Sequence, residues 1–422
     1  TRCSCSSTEF EKEYDILDVW FDSGSSHHVV LDAAEGLPWP ADVYLEGGDQ
    51  YRGWFHSSLL IAVGSRDAAP YRTVICHGFT LDKEGHAMSK SQGNAMSPLD
   101  IIQKDGAEIL RLWTSSIDYT EDVRLGEEIL LRLREAYRKI RNTSRFLVGN
   151  LFDFSSNDQI ADEELPELDR WALARMAQTA QQAEEAYKRF EFHVVYHTIY
   201  NFAVVDLSNF YLDVLKDRLY ISATDSTARR AAQTALFQVT DTLVRLLAPI
   251  LPFTCEEIWQ NLYPQGGPFE SVHLSQFSRD IHRHCNPELL HHWEPLLQIR
   301  DQVSKALEKS RQQKQIGNSL EAQVQIRCGQ ETLAYLKTFE DLRFLFIVSS
   351  VELIEAEEFS GEDLGVSVSK APYGKCQRCW SRRASVGTHQ DFPLICSRCY
   401  TIIQTQIDLN QGKNEQEKEK NV

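Results

Sequence analysis

The pattern of apolar and polar positions changes period along the chain. From 41 to 126 short apolar runs alternate with helical stretches: "DVYLEG" reads as a strand, "GWFHSSLLIAVG" as a helix opening at a glycine, "YRTVICHGFT" as a second strand and "GAEILRLWTSS" as a further helix. That order predicts an open α/β sheet, whose ligands sit beyond the carboxyl ends of its strands. A polar loop, "GFTLDKEGHAMSKSQGN" (78–94), falls at such an end. From about 127 to 263 the apolar residues recur at spacings of 3 and 4. "EEILLRLREAYRKIRNTSRFLVGNL", "LDRWALARMAQTAQQAEEAYKRF", "FHVVYHTIYNFAVVDLSNFYLDVLKDRLY" and "TARRAAQTALFQVTDTLVRLLAPILPF" therefore predict a helical bundle. After "APILPF" the next helix opens at "TCEEIW", with Thr254 expected as its cap and Glu257 three residues on. Beyond a loop-rich stretch at 264–290, a helix "LLQIRDQVSKALEKSRQQK" precedes "AQVQIRCG" and "RFLFIVSSVELIEA". These two read as strands around a short helix, giving a small α+β unit at about 291–370. The final "IDLNQGKNEQEKEKNV" has no apolar period and reads as a disordered tail.

The 422 residues, 42% hydrophobic and 25% charged, suit a globular protein of more than one domain. No run of about 18 apolar residues and no charged-then-apolar leader is present, so neither a membrane span nor secretion is expected and the cytosol is predicted. The opening "TRCSCSSTEFEKEYD" starts at Thr1 and reads as the middle of something longer. A net charge of -17 argues against a phosphate-backbone partner unless the basic residues cluster. They do in "RLREAYRKIRNTSR" (132–145), where Arg134, Arg138, Arg141 and Arg145 form one helical stripe. Such a stripe is more often a solvated face, so it permits RNA contact without establishing it.

Cysteine spacing changes the picture most. Cys76, Cys255, Cys285 and Cys328 are scattered, and Cys3 and Cys5 stand in an irregular terminus. Cys376, Cys379, Cys396 and Cys399 instead make two CxxC pairs at the separation of a four-thiolate zinc ribbon. Four protein ligands leave no open coordination position, so the zinc is predicted to be structural. Lys375, Arg378, Arg382, Arg383 and Arg398 outnumber the one acid, Asp391, across 371–400. With Trp380 and Tyr400 beside the knuckles, an RNA-touching surface is expected there.

The polar loop lacks the order of a P-loop, although its Lys90 can reach a phosphate as a mobile charge. Read alone, an exposed loop is the simpler account. In "YLEGGDQYRGWFHSSLL", Glu46, Asp49 and Gln50 crowd a strand-to-helix turn with Gly47 and Gly48, ahead of Trp54 and Phe55. Those polar groups suit an α-amino group and a ribose. A capped helix with core aromatics explains them equally well.

Taken in order and spacing, "DVWFDSGSSH", "YLEGGDQYRGWFHSSLL", "HGFTLDKEGHAMSKSQGN", "GAEILRLWTSSIDYTED", "LDRWALAR", "RLLAPILPFTCEEIW" and "KCQRCW…CSRC" resemble the class I aminoacyl-tRNA synthetases, most closely their bacterial isoleucyl branch. The resemblance covers nearly the whole chain. It implies an α/β fold, the second half of a Rossmann-like catalytic domain, at 1–126 with its signature loop at 87–91. A helical anticodon-binding domain would follow at 127–290, then a small α+β junction at 291–370, a zinc ribbon at 371–403 and the tail at 404–422.

By the same resemblance, Lys90 would contact ATP phosphates, with Met88, Ser89 and Ser91 in the same loop and His77 and Gly78 beside the adenosine. Glu46, Gly47, Asp49 and Gln50 would hold the aminoacyl-adenylate, and Trp54 and Trp20 would wall the isoleucine pocket. Implied partners are isoleucine, ATP with Mg2+ and tRNA(Ile), the last through the arginine stripe. The protein would be a cytoplasmic monomer. Two departures stand out: Ala87 replaces the first lysine of the family's KMSKS signature, and no HIGH-like segment or editing insertion occurs. The expectation is therefore the C-terminal part of an isoleucine-specific ligase, inactive without an N-terminal half. A non-catalytic tRNA-binding remnant and a valine-specific paralogue are the alternatives.

Overall fold

The computed structural model describes residues 2–89, 91–359 and 363–407. They form two compact units, the first comprising residues up to 106 with 117–131, the second 107–116 with 132 onward.

The first unit contains α1 (Val19–Gly24), α2 (Ser26–Ala33), β1 (Ala41–Gly47), α3 (Trp54–Arg66), β2 (Tyr71–His77), β3 (Thr80–Leu81), α4 (Pro98–Asp105) and β4 (Val123–Arg124). β1 and β2 pair in parallel from Ala41↔Tyr71 to Gly47↔His77 with α3 as the crossover, the βαβ connection that parallel strands require. β3 and β4 pair in parallel beside them. The core here is small. Along β1 only Tyr44 and Gly47 are buried, and α3 buries Phe55, Ser58 and Ala62. α2 is tied to α3 through His28, which lies 3.1 Å from Asp32 and 2.9 Å from the Ser65 hydroxyl. Ser65 spends its own proton on the Ile61 carbonyl at 2.7 Å, so this trio is a structural tie and not a nucleophile.

The second unit begins with α5 (Ala107–Ser116), and α6 (Glu127–Gly149) enters it from residue 132. It continues with α7 (Glu167–Lys188), α8 (Phe192–Asn201), α9 (Leu212–Ile221), α10 (Thr227–Leu247), α11 (Pro252–Leu262) and α12 (Pro287–Gln312). The pattern over 192–221 predicts one long helix, yet a ten-residue π segment, Phe202–Tyr211, joins α8 to α9. α7 buries Ala172, Ala174, Ala177, Ala180, Ala183 and Ala186, small side chains that let α8 and α10 approach closely. Trp171 is sealed against Trp293 at 5.5 Å and Phe210 at 5.0 Å. The fully buried Asp169 carboxylate accepts from Tyr211 at 2.7 Å and from both terminal nitrogens of Arg218, so the buried charge is paired and its oxygens are occupied.

Thr254 is not the cap of α11. The helix starts at Pro252, and the Glu108 carboxylate of α5 accepts the Phe253 and Thr254 amides, both at 2.9 Å. With this bond, and with its packing on α8, α5 belongs to the bundle although sequence order places it among the strands.

β6 (Ser350–Glu355), β5 (Ala322–Cys328) and β7 (Leu364–Lys370) form a three-stranded sheet in that spatial order, with α13 (Gln330–Leu336) and α14 (Leu342–Phe346) in its connections. β5 buries Ala322, Val324, Ile326 and Cys328 in strict alternation. "RFLF", expected as strand, is α14. Asp341 caps it by accepting the Arg343 amide, and Ile347 ends it in the left-handed region at φ 57°. A short hairpin of β8 (Gly374–Lys375) and β9 (Arg382–Arg383) carries the first CxxC. Residues 397–407 are helical, so the expected tail at 404–422 starts inside a helix, and 408–422 lie outside the described residues. Among the described residues no helix is long and apolar enough to cross a membrane.

Candidate functional site

The carboxyl ends of β1 and β2 gather several of the expected residues. Glu46 is exposed at the end of β1, its carboxylate accepting the Gly47 amide at 2.9 Å and lying 3.8 Å from His77 Nε2. Asp49 and Gln50 occupy the 3-10 turn Gly48–Tyr51. Gln50 accepts the Trp54 amide at 2.8 Å, so it caps α3 from four residues upstream. Gln50 thus serves as a cap, and its side-chain amide donates to Asp49 at 3.2 Å, while Glu46 and Asp49 remain exposed. Trp54 stacks flat on Tyr44 at 4.2 Å and 2°, and its indole N–H donates to the Ser23 carbonyl at 3.0 Å. Its ring is therefore fixed in orientation. Trp20, on α1, lies against Gly53, where a Cβ would come within 2.8 Å of the indole. A side chain at 53 would also meet Gln50 at 2.4 Å, so glycine leaves room for both the cap and the indole. Gly78 has a similar reason to be glycine, since a Cβ there would meet the Glu121 carbonyl at 2.3 Å. His77 Nδ1 donates to the Gly78 carbonyl at 2.8 Å.

The signature loop follows. Lys90 lies outside the described residues. Met88 and Ser89 are half-buried and Ser91 is exposed, with the Ser89 and Ser91 hydroxyls 2.6 Å apart. His86 is largely exposed, 3.7 Å from the Asp82 carboxylate. Asp82 and Asn94, which sequence reasoning did not single out, hold the loop's backbone. A polar residue at each end of a glycine-punctuated loop was the available signal.

The four stripe arginines separate. Arg134 is half-buried and Arg138 is paired with Glu135 at 2.5 Å. Arg141 and Arg145 are exposed and line a groove of about 460 Å³ with Asn142, Glu257 and Asn261. Arg145 also lines a second groove of about 760 Å³, together with Tyr220 and Arg378 of the ribbon.

The ribbon brings together the sulfurs of Cys376, Cys379, Cys396 and Cys399, all within 4.8 Å of one another and all buried. Cys379 and Cys396 are 3.8 Å apart, the separation that a tetrahedral ion with metal–sulfur bonds of about 2.3 Å imposes. Hydrogen bonds among the neighbouring thiols push Cys396 down and Cys399 up, as expected of sulfurs this close together. The donor set fits a structural zinc. Much of the ribbon's positive charge is spent internally: Arg382 donates to the Tyr373 carbonyl at 2.7 Å, Arg383 to the Ser349 carbonyl at 3.2 Å, and Arg398 pairs with Asp217. Arg378 reaches the Cys399 sulfur at 3.7 Å and remains on the groove. Tyr400 stacks on His389 at 4.0 Å inside the ribbon, whereas Trp380 is 59% exposed.

Known proteins match along this same layout. Residues 2–126 match the family described as tRNA synthetases class I (I, L, M and V). Residues 169–326 match the anticodon-binding domain of tRNA ligase, and 374–402 the zinc finger found in FPG and IleRS. Isoleucine-tRNA ligase of Caldanaerobacter subterraneus subsp. tengcongensis is 49% identical over 416 residues, covering 96% of this chain and 45% of that protein. The isoleucine-tRNA ligase of Syntrophotalea carbinolica is 51% identical over 412 residues, covering 96% and 44%. The chain thus spans about half the length of these relatives. A solved LeuRS of Agrobacterium radiobacter K84, in a ternary complex with tRNA and LeuAMS, shares the fold with a TM-score of 0.53 at 19% identity, over 68% of this chain and 36% of that one. The chain belongs to the class I tRNA synthetases, and its likeness across 96% of its length is to isoleucine-tRNA ligases.

Proposed function

We propose that this chain contributes to a cytoplasmic, monomeric isoleucine-tRNA ligase the second half of the catalytic fold, the tRNA-binding bundle and the zinc ribbon. The observation that carries this reading is the convergence of Glu46, Asp49, Trp20, Trp54 and His77 at the carboxyl ends of a parallel strand pair, followed directly by the signature loop. In the reaction the isoleucine carboxylate attacks the α-phosphorus of Mg2+-bound ATP and the bond to pyrophosphate breaks. Lys90 neutralises charge on the leaving pyrophosphate. Glu46 and Asp49 bind the α-amino group and ribose, Trp54 and Trp20 wall the aliphatic side chain, and His77 and Gly78 border the adenosine. A terminal tRNA hydroxyl then attacks the activated carbonyl and AMP leaves.

Parallel strands are covered on both faces in folded α/β proteins, yet Val43 and Leu45 on β1 are 39% and 57% exposed. This supports a need for a complementary catalytic half, and without it we expect no adenylate. Isoleucine-dependent ATP–pyrophosphate exchange by the chain alone would overturn that expectation. Exchange appearing on addition of a relative's N-terminal half, and lost in Lys90→Ala, is the expected result. Ala87→Lys should raise the exchange rate of the same mixture, since it restores the second cationic side chain of the loop. Arg141, Arg145 and Arg378 line grooves suited to tRNA phosphates. Arg145→Glu should weaken binding of a tRNA(Ile) transcript and reduce its salt dependence. One observation favours a second reading, a non-catalytic tRNA-binding remnant: Ala87 removes a signature charge. Under that reading tRNA binds normally and no added half restores exchange.

A further inference from the structure

The signature loop is held by two side chains twelve residues apart. Asp82 is 8% exposed, and one carboxylate oxygen accepts the amides of Glu84 at 3.0 Å and His86 at 2.8 Å. Its other oxygen accepts the Asn94 side-chain amide at 2.8 Å. The Asn94 nitrogen also donates to the Ala87 carbonyl at 3.2 Å, and its oxygen accepts the Ser89 amide at 2.8 Å. Three backbone contacts add to the unit, from the Asp82 amide to the His86 carbonyl at 2.9 Å, from the Gly85 amide to the Asp82 carbonyl at 3.1 Å and from the Gln92 amide to the Ser89 carbonyl at 3.2 Å. Among the described residues, every bond to position 87 uses its backbone, and Leu81 bridges Ala87 in the same way. Position 87 thus enters the described part of the loop through its backbone.

We propose that Asp82 and Asn94 are positioning residues: a polar clamp that folds the signature loop before any phosphate arrives. Side-chain acceptors that satisfy loop amides substitute for the regular ladder such a segment lacks, and a carboxylate acceptor strengthens each bond. Preorganisation of this kind removes an ordering step from the reaction. The chemical part of the proposal rests on the reading of Lys90 above, whereas the clamp itself does not. It also bears on the departure at Ala87, whose described contacts run through its backbone.

The reciprocal swap tests it. In Asp82→Asn two side-chain amide groups face one another, and in Asn94→Asp two carboxylates do, so each single change breaks the clamp. Together they rebuild it with polarity reversed. The amide introduced at position 82 can donate to the carboxylate introduced at position 94, and that carboxylate still accepts the Ser89 amide. Only the bond to the Ala87 carbonyl is given up. Hydrogen exchange of this chain should show protection at the His86 and Ser89 amides falling about tenfold in each single variant and recovering in the double variant. Unchanged protection in the single variants would overturn the clamp. In the mixture with a complementary half, the single variants should raise KM for ATP and lower kcat with KM for isoleucine unmoved, and the swap should rescue both. Lost protection with unaltered ATP kinetics would overturn the positioning role. Lys90→Ala, measured alongside, separates the two ideas: retained exchange activity there sinks the reading of the loop, while the amide-protection result still decides the clamp.

Discussion

The two compact units solve the same folding problem with different materials. The second is built around a large apolar core: alanine faces let its helices approach, Trp171, Trp259 and Trp293 are fully buried, and four thiols finish the ribbon. The first leaves Tyr14, Ile16, Leu17, Val19, Leu45 and Phe79 more than half exposed and shapes its functional loop by polar contacts. Burial of an apolar side chain contributes about 1.5–3 kcal/mol, against about 0.5–1.5 kcal/mol for a net hydrogen bond. Stability therefore concentrates in the bundle and ribbon.

The largest effect expected from this contrast is loss of zinc. Chelation, or Cys396→Ala, should abolish the ribbon fold, because structural zinc supplies roughly 10–16 kcal/mol in isolated fingers. Metal content should fall from about one ion per chain to none, proteolysis should open 374–402, and amide protection in the first unit should not change. Next, Trp171→Ala should destabilise the bundle by about 3–5 kcal/mol in denaturant titration. Trp20→Ala, at a half-exposed site of the other unit, should change stability by less than about 0.5 kcal/mol. Equal losses at the two tryptophans would break the comparison.

A smaller effect is due at Glu108. Removing the acceptor of two helix-start amides in Glu108→Ala should cost about 1–3 kcal/mol, read in the same titration. The smallest concerns pH. The His86 amide, then the Asn94 side chain, hold the Asp82 carboxyl below its usual range. A carboxyl depressed in the folded state adds order above its unfolded pKa and loses it as pH falls through the folded one. His86, 3.7 Å from the Asp82 carboxylate, also favours the ionised form. Loop protection should hold from neutrality down to about pH 4 and fail only below it. A drop between pH 7 and 5 would indicate a different group in control.

Local pattern carried a large share of the reading. β1, α3 and β2 stand where alternation and glycine placed them, and the spacing of Cys376, Cys379, Cys396 and Cys399 anticipates their convergence. The misses come from capping partners, backbone conformations and burial that apolar periodicity does not register. Thr254 looked like a cap, but the carboxylate that caps α11 comes from Glu108, 146 residues away. "RFLF" has strand-like composition, and capping by Asp341 with a left-handed Ile347 turns it into α14. The arginine stripe is continuous in sequence period, yet burial draws Arg134 in and Glu135 engages Arg138.

By itself the sequence determined what is encoded by spacing along the chain: the strand–helix–strand order, the helical period of the bundle and the four-thiol ribbon. Periodicity and ligand spacing are local quantities, so local residues suffice to set them. Tertiary structure alone decided which polar groups meet. It gave Glu108 to α11, put Arg145 and Arg378 on one groove, and closed Asp82 and Asn94 over the loop. Hydrogen bonds and ion pairs form between atoms a few ångströms apart, and no rule of sequence separation brings those atoms together.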